Sequence, residues 1–138
     1  MTDTRHLILI VDDEPSIREM LSMILSHKGY AILMAEDGVE ALGLLSTARP
    51  HVLISDLRMP RMDGFELLSI VRSRFPEIAV IAFSGHYGFE GSAVEELVAD
   101  AYLAKAQYSL NTLFETIDDL ISRYPVRAPN PMDGPAAN

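Results

Sequence analysis

Five short apolar runs alternate with segments of helical periodicity along this chain, and this alternation limits the fold more than any other feature. The first run, Leu7–Val11, is continuously apolar and rich in β-branched side chains, which is typical of a strand buried on both faces. Strands that alternate with helices form a parallel sheet with right-handed crossovers. We therefore predict an α/β fold with a doubly wound (βα)5 arrangement.

The limits of the helices are marked by residues that favour helix ends. Pro15 suits the first turn of the helix after the first strand, and Gly29 suits its C-terminal end. In the second helix, Val39 is spaced with two leucines to face the core. A short helix is expected over residues 92–99, and Ser109 is placed to cap the last helix. The remaining strands are predicted at residues 31–35, 51–55, 78–83 and 101–104.

The 138 residues fit one domain, and a hydrophobic content of 49% is enough to form a core. The composition changes after Tyr124, because residues 125–138 hold four of the eight prolines and lack apolar periodicity. We predict a folded domain over residues 1–124 and a Pro-rich disordered tail or linker stub over residues 125–138.

Charge and composition exclude several classes of function. A net charge of −9 disfavours direct binding to nucleic acid, because phosphate backbones repel an acidic surface. The absence of cysteine excludes disulfides and thiolate metal sites. No apolar run has the length of a membrane span, and the N-terminus does not resemble a signal peptide. We expect a cytoplasmic domain.

Charged and hydroxyl side chains follow four of the five predicted strands. In a parallel sheet, ligands bind beyond the carboxyl ends of the strands. If the strand order is 2-1-3-4-5, the ends of the first, third, fourth and fifth strands lie together, and we expect their polar side chains to share a cleft. These side chains are Asp12, Asp13 and Glu14 after the first strand, then Asp56, Ser84 and Lys105.

Such a cleft needs a cation, because two carboxylates 4 Å apart repel by about 4 kcal/mol at an effective dielectric constant near 20. Lys105 offsets part of that repulsion, and an all-oxygen ligand set without His or Cys suits Mg²⁺ better than zinc. A carboxylate can attack phosphorus, and the transfer is catalysed mainly by positioning and charge neutralisation. Mg²⁺, Lys105 and Ser84 would supply that neutralisation, so the cleft favours phosphorylation of a carboxylate.

The sequence resembles the receiver domains of bacterial response regulators, in the CheY-like superfamily. The resemblance covers residues 6–124 and implies a flavodoxin-like fold with sheet order 2-1-3-4-5 and a receiver domain over residues 1–124. It rests on the order and spacing of Ile10-Val11-Asp12-Asp13-Glu14, residues 56–64 (Asp-Leu-Arg-Met-Pro-Arg-Met-Asp-Gly), Ser84 and Tyr102-Leu103-Ala104-Lys105.

The resemblance implies a role for each matching residue of the acidic pocket. Asp56 would be the phosphoacceptor and a ligand of Mg²⁺. Asp13 would bind Mg²⁺ directly, and Asp12 would complete the acidic pocket. The backbone carbonyl of Arg58 would be a further metal ligand.

The resemblance also implies a switch. Ser84 and Lys105 would contact the phosphoryl group, and Tyr102 would move inward when Ser84 moves. The phosphoryl donor would be a sensor histidine kinase or a histidine phosphotransfer protein, and the switched domain would control a partner in phosphorelay signalling. The chain would not be an enzyme in the usual sense, although it would assist its own phosphorylation and dephosphorylation.

Two other functions stay open. Ala106 follows Lys105 where the family usually has proline, so the conformation of the Lys105–Ala106 peptide is not predicted, and a phosphorylation-independent interaction module with a receiver fold is the alternative. A Mg²⁺-dependent phosphatase is less favoured, because Leu57 and Arg58 replace the acid that such enzymes need after the nucleophile.

The segment 87–124, which usually meets partners in this family, is strongly acidic. Its only bases are Lys105 and Arg123, so two copies of this face would repel each other. We predict a monomer, or a weak dimer through another face, and a downstream protein partner with a basic or apolar surface. The acids are Glu90, Glu95, Glu96, Asp100, Glu115, Asp118 and Asp119.

Overall fold

A computed structural model describes residues 6–59, 61–62, 64–84, 99–105 and 108–123. Residues 92–98 of the predicted helix, Ala106 of the Lys105–Ala106 peptide and the predicted tail at 125–138 lie outside these residues. The strands are β1 (Leu7–Val11), β2 (Ala31–Ala35), β3 (Val52–Asp56), β4 (Ala79–Ser84) and β5 (Ala101–Ala104). The helices are α1 (Pro15–His27), α2 (Gly38–Leu45), α3 (Gly64–Arg74) and, as the last described helix, α4 (Leu110–Arg123).

The five strands form one parallel sheet in the order β2-β1-β3-β4-β5, which confirms the predicted fold and strand order. The register aligns the carboxyl ends of the inner strands. Val11 lies opposite Ser55, and Asp56 lies opposite Phe83. As a result, the residues that follow β1, β3 and β5 meet at one edge of the sheet.

Each face of the sheet carries its own apolar layer, because successive side chains of a strand point to opposite faces. Ile8 and Ile10 of β1 pack on one side with residues of α1 and α4. Leu9 and Val11 pack on the other side with residues of α2 and α3. This burial of both faces agrees with the continuous apolar character of β1. Within the described residues, no helix is long and apolar enough to cross a membrane.

The helix ends follow the signals in the sequence, whereas the buried face of α2 differs from the predicted one. Pro15 opens α1, Gly29 follows its end with a φ of +106°, and the Ser109 hydroxyl accepts a hydrogen bond from the Thr112 N–H at 3.0 Å. Val39, predicted to face the core, is instead 54% exposed. The buried side of α2 carries Gly38, Ala41 and Leu45, and Val39 is rotated from Gly38 by about 100° around the helix axis.

Candidate functional site

Three carboxylates converge where β1 and β3 end. Oxygen atoms of Asp12, Asp13 and Asp56 all lie within 4.8 Å of one another, close enough to share a metal ion. Asp12 and Asp56 are buried, with 1% and 5% of their surfaces exposed, whereas Asp13 is open to solvent. The predicted cleft therefore has two acids in its floor and one at its mouth.

The ammonium group of Lys105 crosses this cluster from the end of β5. Its Nζ lies 2.8 Å from Asp12 Oδ2 and 3.1 Å from Asp56 Oδ2. A third carboxylate oxygen, Glu14 Oε1, lies 3.2 Å from the same nitrogen. The side chain of Lys105 is only 14% exposed, so these ion pairs are poorly screened by water.

Backbone amides fix one oxygen of each buried acid. The Glu14 N–H donates to Asp12 Oδ1 at 2.9 Å, and the Arg58 N–H donates to Asp56 Oδ1 at 3.2 Å. The Oδ2 atoms of both acids face Lys105. Although Asp12 Oδ2 is 2.8 Å from the ammonium nitrogen, it lacks an aligned hydrogen bond in the described part of the chain. Among the described residues, Asp12 Oδ2 thus has an ion pair but no aligned donor, and a bound cation would compensate this buried oxygen further. This set of acids therefore fits Mg²⁺.

The environment shifts the acid–base properties of the two central residues. Burial, together with the nearby charge of Asp12, raises the pKa of Asp56 above its usual value, and the Arg58 amide and Lys105 only partly oppose this. Burial alone would lower the pKa of Lys105, but Asp12 and Asp56 raise it above its usual value, so the ammonium stays charged at neutral pH. Ionisation of Asp56 is thus unfavourable in its buried surroundings and places an electrostatic strain on the folded chain.

We expect this strain to appear in the pH dependence of stability. Because the folded state holds a proton on Asp56 more tightly than the unfolded state, Asp56 reduces the free energy of unfolding as the pH rises above about 4 and through its raised pKa. Asp56→Asn removes this contribution, so the variant should gain stability over wild type as the pH rises through that range. Urea unfolding without divalent cations measures the difference, and a constant difference at all pH values would contradict the assignment.

The loop after β3 is held against the site by a close backbone contact. The Gly64 N–H donates to the Leu57 carbonyl at 3.0 Å. A Cβ atom on Gly64 would lie 2.6 Å from Leu57 Cα and still closer to the Asp56 carbonyl oxygen. Gly64 thus starts α3 and also lets the helix lie directly on the backbone of Asp56.

The same loop is tied to α2 by a contact that the sequence does not reveal. Arg61 adopts a left-handed backbone with a φ of 69°, and its guanidinium pairs with the carboxylate of Asp37, which is 2% exposed. Asp37 also caps α2 by accepting the Glu40 N–H at 2.8 Å. The Glu40 amide and Arg61 both lower the pKa of Asp37, so its charge is stabilised in the folded chain.

A second unpredicted contact involves Arg18. Its Nη1 donates to the Asp12 carbonyl at 2.7 Å and so connects α1 to the loop that carries the acids. The sequence shows only that Arg18 lies about one turn into the helix that follows Asp12. Many surface arginines have the same spacing from a strand end.

The remaining predicted site residues occupy different positions relative to the cluster. Arg58 is exposed, and its backbone lies next to Asp56 through the amide contact described above. Tyr102 is half-buried and lies opposite Ala82 in the sheet, packed on the layer that includes α2 and α3. Ser84 ends β4 opposite Ala104, but its side chain lies outside the described part of the structure.

Comparison with known proteins places this arrangement among related domains. A family model for the response regulator receiver domain matches residues 8–118. Response regulator MprA of Mycobacterium avium is 36% identical over 117 residues, which cover 84% of this chain and 51% of the relative. The chain thus spans about half the length of the curated relatives it matches.

Solved structures resemble the whole fold. Response regulator protein TrrA of Thermotoga maritima, in complex with Mg(2+)-BeF, is 32% identical, with a TM-score of 0.76 over 83% of this chain and 98% of its own. The chemotaxis response regulator CheY4 of Vibrio cholerae is 36% identical, with a TM-score of 0.72 over 85% of this chain and 99% of its own.

Proposed function

The chain belongs to the response regulator receiver domain family, and from this premise we propose that it accepts a phosphoryl group on Asp56. One observation carries the proposal: the Asp56 carboxylate lies in a pocket with two further acids within metal-sharing distance and a lysine ammonium at 3.1 Å. The domain covers residues 1–124 in this proposal, and residues 125–138 form a tail or linker stub.

The transfer uses Asp56 as the nucleophile. A carboxylate oxygen of Asp56 attacks phosphorus, the bond between phosphorus and the donor's leaving atom breaks, and its electron pair departs with the donor. In the later dephosphorylation, water attacks phosphorus, Asp56 leaves as a carboxylate, and inorganic phosphate and a proton are released. The backbone N–H of Arg58 holds Asp56 Oδ1 at 3.2 Å, and Oδ2 lies 3.1 Å from the Lys105 ammonium.

Asp12, Asp13, Asp56 and the backbone carbonyl of Arg58 would hold Mg²⁺. When bound, Mg²⁺ neutralises negative charge on the acids and on the transferring phosphoryl oxygens. Lys105, at the end of β5, supplies a second positive charge 3.1 Å from Asp56 Oδ2. The TrrA structure, solved with Mg(2+)-BeF, supports this reading by analogy.

Phosphorylation would act on a two-state element. The phosphoryl group adds about 1.5–2 negative charges to the pocket. Ser84 and Lys105 contact it, and Tyr102 moves inward as Ser84 moves. A change from 1:99 to 99:1 in the population of the active state requires about 5.5 kcal/mol of differential stabilisation.

The partners follow from the same proposal. A sensor histidine kinase or a histidine phosphotransfer protein supplies the phosphoryl group, and a protein with a basic or apolar surface receives the signal. The acids of segment 87–124 support a monomer, or a weak dimer through another face, and argue against direct contact with nucleic acid.

Phosphotransfer from purified histidine kinases tests the function. Kinases of the source organism, labelled on histidine with radioactive phosphate, are mixed with the full chain, and the label is followed on gels. We expect rapid, Mg²⁺-dependent transfer from one kinase and no transfer to Asp56→Asn. If neither the kinases nor small phosphodonors label the chain, the phosphorylation-independent module is the better assignment.

Mg²⁺ should stabilise the fold. A ligand at 100 times its dissociation constant adds about 2.7 kcal/mol to the free energy of unfolding. Asp13→Asn, which removes an exposed acid at the mouth of the pocket, should lose most of this gain, whereas Glu115→Gln on the exposed side of α4 should keep it. Urea unfolding with and without Mg²⁺ measures both variants, and an equal gain in both would contradict the predicted metal site.

A further inference from the structure

Three carboxylates share the Lys105 ammonium, but one of them differs from the others in burial. Asp12 and Asp56 lie in the floor of the pocket, whereas the side chain of Glu14 is 59% exposed. Glu14 Oε1 still accepts an aligned hydrogen bond from Lys105 Nζ at 3.2 Å. Glu14 is therefore a solvent-facing partner of a largely buried cation.

This difference determines which contact Lys105 can give up. Three carboxylate oxygens lie within 3.2 Å of the Lys105 nitrogen, so they compete with a phosphoryl oxygen for the ammonium. Phosphorylation removes the carboxylate charge of Asp56, and the proposed Mg²⁺ would compensate the buried charge of Asp12, so neither acid keeps competing for Lys105. Separation from Glu14 exposes a carboxylate that water already reaches, which costs little. Glu14 is the acceptor that an incoming phosphoryl group would displace.

We propose that Glu14 is a positioning residue that holds Lys105 in its resting place and slows phosphoryl acceptance at Asp56. The proposal rests on the phosphoacceptor function proposed above. The Glu14 side chain carries no helix-capping hydrogen bond in α1, so its carboxylate is not needed to start that helix. The contact with Lys105 spans 91 positions of the chain, and it joins the first and last strand ends of the pocket.

Three substitutions in the full chain separate the contact from the charge. Glu14→Gln removes the charge, whereas Glu14→Asp keeps the charge but shortens the side chain by one methylene group, so that it no longer reaches Lys105. Glu19→Gln, at an exposed position of the same helix, is the control for a lost negative charge. The rate of phosphorylation by acetyl phosphate is measured for each at saturating Mg²⁺.

We expect Glu14→Gln and Glu14→Asp each to react faster than wild type by about two- to fivefold, the range that an exposed ion pair supplies, and Glu19→Gln to react at the wild-type rate. If Glu14→Asp is phosphorylated at the wild-type rate, the charge at position 14 matters and the contact with Lys105 does not. If Glu14→Gln is phosphorylated at the wild-type rate or more slowly, Glu14 does not hold Lys105 back. Either result overturns the proposal while wild type is still phosphorylated. If wild type itself takes no phosphate, the phosphoacceptor function fails instead.

Discussion

Asp56→Asn is expected to reduce Mg²⁺-dependent phosphate incorporation from acetyl phosphate to the background level. The amide of asparagine has almost the same shape as the carboxylate but is not a nucleophile toward phosphorus, so the pocket keeps its form and loses its reaction. The variant should also remain folded, because burial and the charge of Asp12 already disfavour an ionised carboxylate at this position. Mass spectrometry of the intact chain after incubation measures the incorporation.

The matched control is Asp119→Asn, because Asp119 is exposed on α4 and pairs with Arg123, far along the chain from the pocket. This variant should take up phosphate like wild type. Incorporation into Asp56→Asn at the wild-type level would show that another residue is the acceptor. Incorporation that does not depend on Mg²⁺ would argue against the acidic pocket as its site.

Gly64→Ala should destabilise the chain and also weaken the site. The new Cβ would overlap backbone atoms of Asp56 and Leu57, which cannot rotate away as a side chain can. Overpacking of this kind costs about 1–3 kcal/mol, and relief requires that α3 or the end of β3 move. Since the end of β3 carries the acceptor, we also expect weaker Mg²⁺ binding. Urea unfolding and a Mg²⁺ titration measure the two effects.

Gly43→Ala serves as the control with the opposite expected sign. Gly43 lies in α2 and is exposed, and among the described residues no atom beyond the neighbouring helix backbone lies within 4 Å of the place that a Cβ would occupy. Alanine in the interior of a helix is more stable than glycine by about 0.5–1 kcal/mol. Equal stability changes in the two variants would show that the close contact at Gly64 has no particular cost.

The parts of the fold that sequence could predict are those in which local pattern and burial agree. The apolar run Leu7–Val11 became β1 with the predicted limits, because a strand covered on both faces needs apolar side chains at every position. The strand order then placed Asp56 and Lys105 at one edge, so their proximity followed from topology. The proposed roles of Asp56 and Lys105 came from the family resemblance, because the periodicity of a sequence does not indicate its chemistry.

The contacts that sequence missed depend on how separate elements approach each other. Val39 has an apolar side chain at helical spacing, yet it is 54% exposed because the buried arc of α2 carries Gly38, Ala41 and Leu45 instead. Arg61 meets Asp37 across 24 positions, and this pair forms only because the loop after β3 folds back over the start of α2. No local pattern encodes that approach.

The same reason applies to Glu14. The sequence placed it among the acids after β1, but nothing there distinguished a helix-start acid from a partner of Lys105. Only the structure shows that the Lys105 ammonium lies 3.2 Å from Glu14 Oε1, which is within hydrogen-bonding distance. The two residues are 91 positions apart, so no local pattern of the sequence encodes their contact.

Amide NMR spectra of the full chain with Mg²⁺ and beryllofluoride, an analogue of the phosphoryl group, test the central claim most directly. The proposed site predicts that the largest shift changes occur around Asp12, Asp56 and Lys105, require Mg²⁺, and disappear in Asp56→Asn. Spectra that do not change, or that change equally in wild type and Asp56→Asn, would contradict the assignment of Asp56 as the acceptor in a magnesium-binding pocket.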